Sequence, residues 1–164
     1  MSENKVLKHL MEAFAGESQA SRKYVTYAKK AEEEGKINAA KLFKAASEAE
    51  TIHAKRHLEV AGKVLSTAEN LQDAVNGETY EFESMYPEFL KAAEEEGNKE
   101  AIRTFTYAME AEKVHAKLYK EALENIDNNE EVFYYLCPIC GNIEKSVPEK
   151  CSICGASGSK FIKF

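Results

Sequence analysis

At 164 residues, 44% hydrophobic and 30% charged, the chain has room for one ordinary core domain and a small appendage but not for two full domains. A net charge of −6 without a stripe of Lys and Arg excludes the counterion-displacing surface that a nucleic-acid binder needs. No stretch approaches the ~18 apolar residues of a membrane span, and "MSENKVLKHLMEAF" has neither the apolar block of a secretory signal nor the Arg-rich look of a transit peptide, so a soluble, cytoplasmic protein with no membrane or nucleic-acid partner is expected.

In chain order, apolar residues first recur at helical spacing in Leu7, Leu10, Met11 and Phe14, which predicts a helix over roughly 3–33. Gly35 marks its stop. The same period in Ile37, Ala40, Phe43 and Ala46 predicts a second helix over 36–63, antiparallel to the first. Residues 62–77 then carry the chain to a second hairpin, with helices over 68–96 and 99–126 on either side of Gly97. A ferritin-like bundle needs this connection to cross its length, whereas an up-down bundle needs only a tight turn.

The hairpins are copies of one unit. Residues 27–55 match residues 89–117 at an offset of 62 without a gap, and 15 of these 29 positions are identical, as for an internal repeat. The repeat includes Glu50-x-x-His53 and Glu112-x-x-His115. A spacing of three places each carboxylate and imidazole on one helix face. A single such pair is an unremarkable surface feature; a pair repeated in two related hairpins points to two faces meeting inside a bundle. With one Glu from each remaining helix, this is the ligand set of a carboxylate-bridged dimetal site.

The first helix offers Glu17 and the third offers Glu78 and Glu81. "GE" at 16–17 matches "GE" at 77–78 at an offset of 61, one less than in the main repeat. One residue is therefore inserted after Glu78, as in a π-bulge or a kink at Pro87. His57 aligns with Tyr119 and His9 stands alone, so neither is expected to bind metal. Carboxylate oxygens with one imidazole per ion suit iron or manganese. Several converging glutamates would need such cations to offset repulsion and desolvation.

After about residue 127 the composition turns to aromatics, Gly, Pro and cysteine, which predicts a second domain over 132–164, after a helical domain over 1–131. All four cysteines lie there, as Cys137-x-x-Cys140-Gly and Cys151-x-x-Cys154-Gly, two knuckles that together make a tetrahedral four-thiolate site. Zinc and iron share that geometry. Coupling to a redox dimetal site favours iron. Tyr134, Tyr135, Phe161 and Phe164 are expected to pack around this site as the module's small core.

Glu17, Glu50-x-x-His53, Glu78-x-x-Glu81 and Glu112-x-x-His115 followed by "CPICG…CSICG" closely resemble the rubrerythrin family along nearly the whole chain. The resemblance implies an all-α, ferritin-like four-helix bundle holding two iron ions, plus a small β-rich rubredoxin-like domain holding a third. It implies a non-haem diiron peroxidase that reduces hydrogen peroxide to water, protecting against oxidative stress. Electrons would come from NADH through a reductase or rubredoxin and pass via the four-cysteine iron. It further implies a homodimer, Glu81 and His53 exchanging as ligands with oxidation state, and Tyr24 and Tyr86 near the site. The rival readings are a ferroxidase or iron-storage protein, which needs a multi-subunit shell, and a scaffold whose cysteines hold structural zinc.

Overall fold

The computed structural model describes residues 4–164. It is mostly helical: α1 (Lys5–Glu33), α2 (Ile37–Val60), α3 (Thr67–Tyr80) and α4 (Tyr86–Glu95) joined by a π-helical turn (Glu81–Met85), and α5 (Lys99–Glu124). A small sheet follows, of β1 (Tyr135–Leu136), β2 (Ile143–Glu144) and β3 (Ile162–Lys163). With α3, the π turn and α4 running as one continuous helix, these are the four long helices and the β-rich appendage expected. The expected start of the first helix, at residue 3, lies outside the described residues.

The chain divides into two compact units at residues 65 and 66. The first unit is the α1–α2 hairpin. Its turn follows from Gly35, whose φ of +70° an L side chain adopts only with strain. The N–H of Gly35 donates to the Glu32 carbonyl and that of Lys36 to the Ala31 carbonyl, closing the helix end. The two helices meet through small side chains. Ala28, Ala31, Ala40 and Ala54 are buried, and the buried Ser47 hydroxyl donates across the hairpin to the Ser21 carbonyl at 2.9 Å. Tyr24, Tyr27 and Phe43 cluster with ring centroids 5.6–6.3 Å apart.

The second unit begins with a capping box, in which the Ser66 hydroxyl accepts from the Glu69 N–H and the Glu69 carboxylate accepts from the Ser66 N–H, satisfying two donors at the start of α3. Its hairpin repeats the first in three dimensions. Tyr86, Phe89 and Phe105, each 62 positions beyond its counterpart, form the same aromatic cluster at 5.6–6.2 Å. Ala93 and Ala116 are buried as are Ala31 and Ala54. The inserted residue is absorbed by the π turn, where the Tyr86 N–H reaches back five residues to the Glu81 carbonyl.

The sheet has the order β2-β1-β3, antiparallel throughout, with Tyr135 opposite Glu144 and Lys163. A pair of backbone hydrogen bonds between Tyr134 and Phe164 extends β1 and β3. The expected aromatic core needs correction at Phe164, which is 69% exposed; Tyr134, Tyr135 and Phe161 are half-buried, and Cys137, Asn142 and Cys151 are buried. A module of about 30 residues is too small to enclose large rings, so the cysteine cluster itself is its core.

Candidate metal centres

The four cysteine sulfurs lie within 4.8 Å of one another. Cys137 and Cys154 approach to 3.6 Å and Cys140 and Cys151 to 3.5 Å. A tetrahedron with metal–sulfur bonds of about 2.3 Å has edges of about 3.8 Å, so the cluster fits one ion. In each CxxC-Gly knuckle the glycine N–H returns to the first cysteine's carbonyl, Gly141 to Cys137 at 3.0 Å and Gly155 to Cys151 at 2.9 Å. Burial raises the Cys140 thiol. Burial also works against the Cys151 thiolate, but the N–H groups of Cys154 and Ile153 hold its pKa down to about 7, the range in which a ligand loses its proton at little cost. Cys151 also lies 3.8 Å from the side-chain amide of the buried Asn142, a residue that the spacing of the knuckles did not single out.

The carboxylates and histidines form two clusters, one in each unit. In the first, Glu17 from α1 meets Glu50 and His53 from α2. His53 Nδ1 is 3.1 Å from Glu50 Oε2, and a hydrogen bond between Glu17 and Glu50 raises the pKa of Glu17 and lowers that of Glu50. His57 approaches closely enough to bear on Glu17 but is outside the cluster, as is His9. The His53 side chain is 55% exposed.

In the second, Glu78 from α3 meets Glu112 and His115 from α5. This cluster is more enclosed: these side chains are 16–20% exposed. His115 Nδ1 is 2.6 Å from Glu112 and 3.8 Å from Glu78. Burial first, then a hydrogen bond to Glu112, pushes the Glu78 carboxyl up to about 7. Burial opposes the ionisation of Glu112 too, yet its bonds to His115 and Glu78 lower its pKa overall. Glu81 opens the π turn. Burial and then the Glu112 charge raise its pKa, although it stands outside the tight cluster.

The other ring nitrogen of His115 is bonded too. Its Nε2 lies 2.9 Å from the Gly141 carbonyl, so the Nε2–H donates to the cysteine knuckle. Burial opposes the charged imidazole, but its hydrogen bonds to Glu112 and to Gly141 raise its pKa overall. With Nε2–H fixed by a backbone carbonyl, Nδ1 is the nitrogen that a metal ion would take in place of its proton. Repetition of Glu-x-x-His gave the imidazole but no hint of Gly141, since only packing of the module against α5 brings residues 26 apart together. Lys145 of the module also pairs with Glu121 of α5. An apolar pocket lined by Leu71, Leu118, Tyr119, Tyr134 and Leu136 reaches His115.

The tyrosines lie beside these clusters or in the aromatic groups packed next to them. Burial first, and then the charges of Glu112, Glu81 and Glu78, raise the Tyr86 pKa, and its ring packs on Phe89 and Phe105. The Tyr119 phenol is raised by burial and by Glu78 and Glu112, a neighbour that sequence reading treated only as the counterpart of His57. Tyr24 packs on Tyr27 and Phe43, and among the described residues no hydrogen bond joins it to a carboxylate. No helix of the structure is long and apolar enough to cross a membrane.

The chain is similar to proteins of one known family. The rubrerythrin family model matches residues 8–123. Rubrerythrin-2 of Clostridium acetobutylicum is 39% identical over 174 aligned positions, covering 94% of this chain and 94% of the relative. Nigerythrin of Nitratidesulfovibrio vulgaris is 40% identical, covering 90% of this chain and 81% of the relative. A solved structure of fully reduced, all-ferrous nigerythrin, 37% identical, aligns over all of this chain and 89% of that one with a TM-score of 0.61. An alignment of 174 positions exceeds the 164 residues of the chain, so the relative carries at least ten residues that this chain lacks.

Proposed function

Since this chain belongs to the rubrerythrin family, with the fold class of nigerythrin, we propose that within this class of diiron oxidoreductases it is a peroxidase that reduces hydrogen peroxide to two waters with two electrons and two protons. Its cofactors are iron, a carboxylate-bridged pair and a single ion on four cysteines. When bound, the pair supplies both electrons at once and the four-thiolate ion replaces them singly. Glu17, Glu50, His53, Glu78, Glu81, Glu112 and His115 would hold the pair, and Cys137, Cys140, Cys151 and Cys154 the single ion.

One observation carries the reading: the hydrogen bond from His115 Nε2–H to the Gly141 carbonyl. It joins a ligand of the pair to the residue that follows a ligand of the single ion, a short and largely covalent route for electrons. A storage protein has no use for such a route; a catalyst that is reoxidised at each turnover depends on one. The electron source that fits is an NADH-linked reductase or a rubredoxin.

The two histidines are held unequally, and this supports distinct roles. His115 is pinned at both nitrogens and keeps its orientation. Among the described residues His53 is bonded only to Glu50, and it is far more exposed, so its ring can swing without breaking a buried contact. Glu81 stands at the edge of its cluster on the π turn, where helical hydrogen bonding is already irregular. Exchange between Glu81 and His53 as ligands therefore involves a residue of the π turn and an exposed imidazole. The Tyr86 phenol, neutral as tyrosine ordinarily is, is proposed to donate a hydrogen bond to a carboxylate there; Tyr24 is the corresponding residue of the first hairpin.

The test is rapid mixing of protein loaded anaerobically with ferrous iron. Oxidation by hydrogen peroxide should outpace oxidation by dioxygen by at least about tenfold; faster reaction with dioxygen would favour a ferroxidase. A dimer in solution, rather than a multi-subunit shell, would separate the same two readings. A red colour from ferric thiolate, absent from a zinc site, would exclude the scaffold reading.

A further inference from the structure

The geometry points to Asn142 as a positioning residue of the four-cysteine centre: its side-chain amide donates to the Cys151 sulfur and thereby favours the ferrous state of the ion held there. This deepens the preceding reading and rests on its premise that the cysteines hold an iron ion that relays electrons.

Asn142 follows the first knuckle, and its backbone already does what the fold asks of that position. Its N–H donates to the Cys140 sulfur, and its carbonyl accepts from the Cys137 N–H at 2.8 Å. The second knuckle repeats both bonds with Ala156, whose N–H donates to the Cys154 sulfur and whose carbonyl accepts from the Cys151 N–H at 2.7 Å. A methyl side chain is therefore enough to build a knuckle. The amide of Asn142 is an addition that knuckle geometry does not require.

That addition is unfavourable in itself. Asn142 is 0% exposed, and its Oδ1 is buried with no hydrogen-bond partner among the described residues. A leucine would fill a similar volume without stranding an acceptor. What the amide gains lies on its nitrogen, which carries two N–H groups. Nδ2 is 2.8 Å from Glu144 Oε1 and 3.8 Å from the Cys151 sulfur. Both partners are acceptors, so the nitrogen and not the oxygen must face them. The Glu144 carboxylate, which also accepts from the Ser152 hydroxyl at 3.4 Å, holds the amide in that orientation.

Cys151 thus receives three N–H groups, those of Ile153 and Cys154 from the backbone and that of Asn142 from a side chain. The sulfur is only 3% exposed with its residue, so water does not compete for these bonds. Hydrogen bonds to a charged group favour its charged form, and bonds to the sulfurs are among the levers that set the potential of an iron–thiolate site. One electron leaves the reductase or rubredoxin and one is gained by the ion, which turns from ferric to ferrous. Negative charge on the thiolates grows in that step, and the Asn142 N–H is already in place to meet it.

The test compares the full-length wild type with Asn142→Ala and Asn142→Leu, each loaded with iron and equilibrated anaerobically with a redox dye. The ferrous-to-ferric ratio of the four-cysteine ion is read from its red absorption, and protease resistance of the module reports that each variant is folded. At a fixed dye ratio, loss of one hydrogen bond should lower the ferrous-to-ferric ratio about fivefold in both variants. A packing role predicts instead that leucine, which refills the volume, behaves as the wild type. An unchanged ratio in a folded Asn142→Leu or Asn142→Ala protein would overturn the assignment and leave the relay reading intact. A lowered ratio in a protein whose ion pair is not re-reduced through the four-cysteine ion would uphold the assignment and overturn the relay. Wild-type protein with an NMR-active cadmium isotope at the four cysteines gives a check that needs no substitution. A scalar coupling between the metal and the Asn142 side-chain amide proton is expected, and its absence would overturn the bond to sulfur.

Discussion

Deleting Ser84 should abolish the dimetal site while leaving the helices in place. Ser84 is exposed and lies in the π turn, where the Tyr86 N–H bonds to the Glu81 carbonyl. Without it the turn can close with ordinary i to i−4 bonds, and α3 and α4 rotate relative to each other by about 100°. Tyr86 and Phe89 hold α4 against Phe105 of α5, so the rotation falls on α3. A carboxylate about 6 Å from the helix axis then moves by about 9 Å, several times a metal–oxygen bond of about 2 Å. Glu78 leaves Glu112 and His115. Losing a group that merely supports a ligand lowers metal affinity about 10–100-fold, and losing a bridging carboxylate should exceed this. Ferrous ion bound beyond the four-cysteine ion should thus fall below about one-tenth of the wild-type amount, with far-UV circular dichroism and the red colour of the cysteine site preserved. Ser84→Ala, which keeps the residue count, should bind as the wild type does. A folded deletion variant with full dinuclear occupancy would refute the claim that the inserted residue sets the position of Glu78.

Cys140→Ser should bleach the visible absorption of the four-cysteine site and render residues after about 130 sensitive to protease, because a module whose buried residues are chiefly ligands depends on its metal for folding; unchanged protection would refute this. Ser66→Ala removes the capping box of α3 and should cost about 1 kcal/mol in denaturant unfolding of the second unit. Gly35→Ala meets open space but must adopt a φ of +70°, and about 1–2 kcal/mol of destabilisation follows from that backbone strain alone. In metal-free protein the Glu78 pKa of about 7 lies above its unfolded value, so its contribution to stability is complete below pH 4.5 and is lost as pH rises through 7. Thermal melting should therefore move downward between about pH 5 and about pH 8 in wild type relative to Glu78→Gln, and metal loading should remove the difference.

Much of the site can be read in the sequence because its ligands are placed in pairs by local backbone geometry. Glu50 and His53, or Glu112 and His115, share a helix face through a spacing of three whatever the tertiary fold, and each CxxC-Gly knuckle brings two sulfurs together within five residues. The change of repeat offset from 61 to 62 located an insertion after Glu78 and left a π turn or a proline kink as the alternatives; the structure has the π turn, at Glu81–Met85. The aromatic clusters of Tyr24, Tyr27 and Phe43 and of Tyr86, Phe89 and Phe105 were equally available at the offset of 62, yet residue type alone did not show that these rings meet.

The remainder depended on contacts between residues distant in the chain. That the Gly141 carbonyl fixes His115 while, among the described residues, no such bond holds the second nitrogen of His53 follows from the cysteine module packing on α5, and no spacing encodes it. That Phe164 is exposed and Asn142 buried reflects how little volume a short sheet can enclose. Period and motif determined which side chains could serve as ligands, since a helix turn or a knuckle is a local object. Which of them are held rigid, how deeply each lies and where its pKa falls were decided by tertiary packing, because burial and hydrogen bonding depend on what the rest of the chain places beside them.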